Sequence, residues 1–457
     1  MPLDFVIENG KVITESSQYQ ADVGVRDGKI AAIGSDLSEI STESYDASGC
    51  YVAPGFIDGH VHMGLPVAGT RSSDDFFTGG RAAAYGGITS IIDFTTPGPG
   101  QTITGAIRSR QEYAADCPID YSLHATLYGF DGVDPGDVES AIDLGVTTFK
   151  FFTTYSESDR YTGDGELLDA LVRIPALGGK LMVHCENDEI IKRKRKKFQQ
   201  RGKKAITNHP KTRPAYSESS AVNDVIELTE IADGDVHLAH ISSKRSLTDI
   251  AKGVAEGVNM SAETCPQYLL LTEECYQEED GYLYSATPPL RTVEDNQALW
   301  TAIQNGLINS VATDHCPFKN EQKDPYRDDF LNIPQGLPGV ETLVSLLYTE
   351  GVEQGRISLT RFVQLLSTNP ARIFGLYPEK GSLQVGTDAD IAVIDPEVEK
   401  TLTPDSLHMN TDFNPYRSYV TAGWPRFVFL RGRLILEEDN FHGDEGPGKF
   451  IRRSSFD

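Results

Sequence analysis

Between residues 56 and 317, eight short runs rich in β-branched and apolar residues alternate with helix-like stretches, and nothing else in the sequence narrows the fold as far. The runs are FIDGHVH (56–62), ITSIIDF (88–94), DYSLHATL (120–127), TTFKFF (147–152), KLMVHCE (180–186), VHLAHIS (236–242), NMSAETCP (259–266) and NSVATDHCP (309–317). Stretches such as DDFFTGGRAAAYG and SLTDIAKGVAEG lie between them. Eight β/α units predict an α/β fold built on a (β/α)8 TIM barrel. A doubly wound sheet is the competing arrangement, but no GxGxxG follows any run, and residues of catalytic type sit at the ends of several different runs. The flanks read differently. FVIENGKVI, ADVGVRDGKIAAIG and CYVAP near the start, and DADIAVIDP and WPRFVFLRGRLIL near the end, are strand-rich. Asn9-Gly10 and Asp27-Gly28 read as hairpin turns. The predicted organisation is a barrel over 54–375 beside a smaller β-sandwich assembled from both termini, 1–53 and 376–457.

Charge and composition narrow the partners. The chain of 457 residues carries 41 Lys and Arg against 67 Asp and Glu, a net charge of −26. Such a surface repels phosphate backbones and anionic lipid, so neither nucleic acid nor a membrane is an expected partner. No run of apolar residues is long enough to span a bilayer, and Asp4 and Glu8 replace the basic leader of a signal peptide. The six cysteines form no CxxC pair, which reads as reduced thiols and a cytoplasmic address. One basic run, IKRKRKKFQQRGKK (191–204), interrupts the acidic chain; it resembles a polyanion-binding patch but reads first as a solvated helix.

The ten histidines are placed unevenly. His60 and His62 lie two apart on the first run, so their side chains share one face of a strand and enter the barrel mouth together. Asp58 shares that parity and is placed to orient a ligand imidazole from behind. His184 closes KLMVH, His240 closes VHLAH, and Asp314 follows NSVAT, where Ser310 and Ala312 on the same face leave room for ions. His237, three residues from His240, is expected to face the helix layer, and His315 to point away from Asp314. His124 reads as a core residue, while His209, His408 and His442 fall in loops without a role. Four histidines and one aspartate thus converge from four strands. Such ligands suit zinc, with manganese or iron as alternatives. Five are many for one catalytic ion and few for two without a bridge. Lys150, at the end of TTFK, reads either as a salt-bridged lysine or, carboxylated by carbon dioxide, as an anionic bridge.

The pattern resembles the amidohydrolase superfamily, specifically its hydantoinase/dihydropyrimidinase (cyclic amidase) branch. The resemblance rests on APGFIDGHVH, DDFFTGGRAAAYGGITSIIDFTTP, FKFFTTY, VHCEN, AHISS, ETCPQYL, TPPLR, TDHCPF, IPQGLPGVE, STNPARIFGLYPEKGSLQVGTDADIAVIDP and GPGKFIRR, and so on nearly the whole chain. It implies two zinc ions, one held by His60, His62, Lys150 and Asp314, the other by Lys150, His184 and His240. Carboxylated Lys150 and a hydroxide would bridge them. Asp314 would carry the hydroxide's proton to the leaving nitrogen, because an unprotonated amide nitrogen leaves poorly. Tyr155 would steady the developing oxyanion. The implied reaction is ring opening of a hydantoin, a dihydropyrimidine or a related cyclic ureide or imide to an N-carbamoyl amino acid. The implied assembly is a homotetramer or homodimer that uses the GPGKFIRR tail.

Several positions depart from the branch's pattern. Thr287 stands where it has Ser, and Gln335 where it has Asn, at the two segments that hold the ring amide. Leu65-Pro66-Val67 replaces a segment with a phenylalanine, so Leu65 and Val67 line a mouth short of one aromatic wall. Gly64 replaces the carboxylate-gripping arginine of dihydroorotases. Allantoinase is the alternative activity within the superfamily, and a non-catalytic dihydropyrimidinase-related scaffold the alternative outside catalysis; the complete ligand set weighs against the scaffold.

Overall fold

The computed structural model describes residues 2–41, 43–443 and 448–456. Its centre is a ring of eight parallel strands: β1 (Phe56–Val61), β2 (Ile88–Phe94), β3 (Asp120–Thr126), β4 (Thr148–Phe152), β5 (Lys180–His184), β6 (Val236–Leu238), β7 (Met260–Thr264) and β8 (Ser310–Val311). Each strand pairs with its neighbour in sequence. Parallel strands between a packed barrel interior and a helix layer have no solvent face, and every residue of β2 and β3 is buried accordingly. The alternation read from the sequence is therefore a TIM barrel, with strand edges within a residue or two of the predicted runs for β1 to β5. At β6 and β8 the predicted runs overshoot, because these strands are only three and two residues long.

The ring closes weakly. Beyond β8 a single parallel bridge joins Val61 to His315, and the His62 amide donates to the His315 carbonyl at 2.8 Å. Asp58 supplies what the missing ladder does not. Its carboxylate accepts from the Thr313 amide at 3.1 Å, from the Thr313 hydroxyl at 2.5 Å and from the His60 amide at 3.2 Å. Asp58 thus reaches backbone and a hydroxyl, not an imidazole.

Helices start where their capping residues fall. Asp75, Thr102, Asp134 and Ser243 each accept an amide of the following first turn, and Gly257, left-handed at φ 83°, ends Lys244–Glu256 before β7. The basic run is a helix, Asp188–Gln200, capped by Asn187, as its solvated-helix reading expects. No helix among the described residues is long and apolar enough to cross a membrane, and all six cysteines are free.

The termini share two mixed sheets. Lys11–Ile13, Gln18–Gln20 and Tyr51–Pro54 join Ile391–Asp395, Trp424–Leu430, Arg433–Glu437 and Asn440–Phe441 in one sheet of seven strands. The other has four: Lys29–Gly34, Asp22–Arg26, Phe5–Glu8 and Ser44–Asp46. Phe5, Ile7, Val23 and Val25 of the smaller sheet pack with Val12, Val52, Ile391, Val393 and Phe429 of the larger. Asp27-Gly28 turns a hairpin, pairing Arg26 with Lys29. Asn9-Gly10 does not: it passes the chain from one sheet to the other. Gly10 is required for closeness instead, since a Cβ there would fall 2.4 Å from Val52. Gly446 and Pro447 of the predicted contact tail lie outside the described residues. The part that follows lies on its own barrel, with Tyr121 and Phe450 in a parallel bridge and Arg453 donating to Thr148 at 2.7 Å.

A buried ionic knot ties barrel to sheets. The Lys380 ammonium, 2% exposed, lies 2.5 Å from both Asp120 and Asp390 and 3.1 Å from Asp388. Asp120 starts β3 and also takes Arg431. Removing one partner of such a cluster strands the others without water, at a cost of about 3–5 kcal/mol. Lys380→Met is expected to lower stability to chemical denaturation by that amount. A change under about 1 kcal/mol would mean that desolvation already cancels the attraction.

Candidate active site

The side chains singled out by sequence meet at the C-terminal ends of the strands. One cavity of about 430 Å³ is lined by His60, His62, Leu65, Val67, Lys150, Tyr155, His184, His240, Thr287, Asp314 and Gln335, among others. Asp58 lies behind it, fully buried. His60 and His62 approach one carboxylate oxygen of Asp314 through their Nε2 atoms, at 3.2 and 3.1 Å. His60, His240 and Asp314 each offer a ligand atom, all within 4.8 Å of one another, and form a His/Asp group able to hold a metal ion. His184 lies outside that trio, its ring 4.5 Å from the His240 ring. Tyr155 follows, 5.2 Å from His184.

Three of these residues reach the site through left-handed backbone: His240 at φ 38° and Asp314 at φ 53°, each just past the end of a short strand, and Tyr155 at φ 72°. The turn at His240 overrides strand parity, and this corrects the sequence reading of His237. It faces the barrel interior, with Nδ1 2.8 Å from the Ser261 hydroxyl and Nε2 3.2 Å from Glu263. His209 also departs from expectation: it opens the short helix His209–Thr212, is buried, and donates to the Ala286 carbonyl at 2.8 Å. His124 is bonded to Thr148 and Gly59, and His315 lies 3.1 Å from Asp74, both as expected.

Buried partners orient the rings. Glu263 binds His60 Nδ1 at 2.5 Å, which turns Nε2 to the cavity, and its oxygens also take the His237 ring and the His240 amide. Carboxylates behind ligand histidines fix tautomer and direction in this way. Glu186 plays the same part for His184, 2.9 Å from its Nε2, and is held by Arg213. None of these three received a role from the sequence. Glu186 shares strand parity with His184, and Glu263 is a carboxylate inside an otherwise buried strand, so both carried a signal; Arg213 carried none.

Electrostatics follow from burial. Desolvation holds His60, His184 and His240 well below the usual imidazole range, leaving neutral rings with a free lone pair. Lys150 is 1% exposed, and its amine has no hydrogen-bond partner. Burial lowers its pKa to about 8, against the opposing pull of Glu263 and Asp314. Desolvation raises Tyr155, so its hydroxyl stays protonated and able to donate. The Thr287 hydroxyl and the Gln335 amide oxygen are buried at the cavity without partners. Lys323 anchors both their segments, donating to Leu283 and Gly336 carbonyls at 2.9 and 2.8 Å. Gly64 is left-handed at φ 56°, a conformation an arginine would adopt only with strain, and a Cβ there would also displace the Tyr113 ring.

Residues 51–435 match the Amidohydrolase family. The chain is 38% identical to a D-hydantoinase of Geobacillus stearothermophilus, over 99% of this chain and 97% of the relative. It is 39% identical to a D-phenylhydantoinase of Escherichia coli, over 99% and 98%. The crystal structure of a dihydropyrimidinase from Brevibacillus agri superposes with a TM-score of 0.97 at 38% identity, covering 99% of each chain. With its barrel, its His/Asp group and this likeness over almost its entire length, the chain belongs to the amidohydrolase family, as a member of the hydantoinase/dihydropyrimidinase type.

Proposed function

We propose that the protein opens the ring of a hydantoin, a dihydropyrimidine or a related cyclic ureide or imide, releasing an N-carbamoyl amino acid. The observation that carries this reading is Lys150: a buried amine with no partner, among neutral imidazoles and one carboxylate. A permanently charged lysine fits badly there, whereas a carboxylated one, formed from carbon dioxide with loss of a proton, fits as a bridging anion. His60, His62, Lys150 and Asp314 would then hold one divalent ion, and Lys150, His184 and His240 a second, with zinc favoured by the ligand types. Such a pair, when bound, supplies Lewis-acid polarisation of the amide carbonyl and a water acidic enough to attack at neutral pH.

The protein's own groups do the rest. Asp314 holds the proton lost by the attacking water and delivers it to the ring nitrogen as the C–N bond breaks. The Tyr155 hydroxyl donates to the carbonyl oxygen as charge develops there. The unpartnered Thr287 hydroxyl and Gln335 oxygen are available to the ring amide, and Leu65 and Val67 form the wall against the ring substituent. Tyr155→Phe is expected to lower kcat by about 10²–10³-fold with little change in KM. Steady-state kinetics showing an unchanged kcat would remove Tyr155 from the reaction.

The deciding experiment is a substrate panel with metal-loaded protein: dihydrouracil, 5-substituted hydantoins, cyclic imides, allantoin and dihydroorotate. Turnover of the first three classes, abolished by chelation, is the expected result. Turnover of allantoin or dihydroorotate alone would overturn the substrate assignment. The family likeness also supports a homotetramer or homodimer; a monomer by light scattering excludes it.

A further inference from the structure

The helix beside the cavity mouth is basic in a chain that is strongly acidic. Nine of the 41 Lys and Arg fall between 192 and 204, on or just after the helix Asp188–Gln200. That helix turns Ile191, Lys192 and Arg195 to the cavity, and Arg160 reaches it from the loop after β4. Lys192 is neutralised by Glu189 at 2.7 Å and Asp188 at 3.3 Å, and Arg213 by Glu186. Arg160 and Arg195 are different: among the described residues neither has a carboxylate within ion-pair distance. Arg195 donates to the Leu331 carbonyl at 3.0 Å, and Arg160 rests its guanidinium 5.5 Å from the centre of the Tyr128 ring. Both line the same cavity as Tyr155. Two further acids act on Arg195 without forming an ion pair with it: Glu157, which is exposed, and Asp329, which is paired with Lys204. Charge around the mouth is nearly balanced, since Lys192 faces two carboxylates, but Arg160 and Arg195 line the cavity as half-buried guanidiniums without an ion pair.

We propose that the substituent on the substrate ring is an arm ending in an anion, a carboxylate held by Arg160 and Arg195. The assignment rests on the ring-opening reading above and specifies its substrate. Guanidinium groups hold a carboxylate through paired N–H donors, and partial burial strengthens the contact. The basic helix beside the mouth would also draw an anion past a surface that otherwise repels it.

The test compares 5-(2-carboxyethyl)hydantoin with 5-(2-carbamoylethyl)hydantoin, which share shape and differ in charge, alongside unsubstituted hydantoin. With metal-loaded protein, kcat/KM for the carboxylate is expected to exceed that for the amide by about 10–100-fold, as for a hydrogen bond to a charged group. The ratio should narrow as sodium chloride is raised, and collapse toward one in the Arg160→Gln, Arg195→Gln double variant. If hydantoin is opened and the two arms are equal, or the amide is preferred, the anionic arm is wrong and ring opening stands. If nothing is opened, the ring-opening reading fails, and calorimetric titration with the same two compounds decides the anion: tighter binding of the carboxylate supports it, equal binding overturns it. Should the double variant fail to fold, the wild-type ratio and its salt dependence decide alone.

Discussion

Lys150→Ala is expected to leave a folded protein that has lost its bound metal and essentially all turnover. The fold should survive because the Lys150 amine has no hydrogen-bond partner in the barrel and lies over the Phe94 and Phe152 rings, 5.4 and 5.5 Å from their centres. The chemistry should not survive, because the side chain is shared by both proposed ions. Loss of a group behind a ligand costs roughly 10–100-fold in metal affinity or activity, and loss of a shared ligand must exceed that. The alanine also leaves space beside two neutral imidazoles. Acetate or propionate, diffusing into it, should restore part of both metal content and rate. Elemental analysis and turnover with and without the acids read this directly. Unchanged metal content and activity in the variant would end the bridging role of Lys150.

Asp314→Asn should produce the second large loss, and with less disturbance of structure than any other ligand change. Asp314 sits at φ 53°, a conformation that asparagine adopts more readily than any residue except glycine. The amide has nearly the same size and can keep the same place beside His60 and His62. What it cannot do is bind a proton and pass it on. Burial opposes ionisation of Asp314, but His60 and His62 outweigh it and hold the carboxyl below the usual range, so the wild-type group begins as a base. The expected loss in kcat is at least the roughly 10²–10⁴-fold that a positioned proton carrier supplies. Circular dichroism and thermal melting should match the parent. A variant that retains a tenth or more of the parent kcat would show that the proton travels by another group.

The parts of this site that were legible in the sequence are those governed by strand parity. His60, His62, Lys150 and His184 lie on or directly beyond strands, and counting by twos places them in the mouth. His240 and Asp314 were found by residue type rather than by geometry, since both leave their strands through left-handed turns that no local pattern announces. The same turn at His240 explains why His237, counted from it, came out on the wrong face. Glu263 was within reach of the parity argument but its partners, His60 and His240, come from elsewhere in the chain. Glu186 stands two residues from its partner His184, but Arg213, which holds it, is distant in sequence. The Asn9-Gly10 turn shows the reverse error. A strong hairpin dipeptide was used for the close approach of two sheets, a demand that only the packed structure reveals.

The weak closure of the ring bears on how this enzyme comes to exist at all. Asp58 and Thr313 are 255 residues apart in sequence, so their contact completes the longest loop in the barrel. Bringing such distant segments together carries the largest entropic cost of any strand pairing here and is repaid last. His62 and Asp314 flank that same join. A chain that has formed seven neighbouring strand pairs but not this one is a barrel in outline and inert in chemistry, because His60 and His62 face Asp314 across an open gap. Ring-opening activity therefore counts only molecules whose final stitch is in place, and loss of activity during unfolding should precede loss of secondary structure.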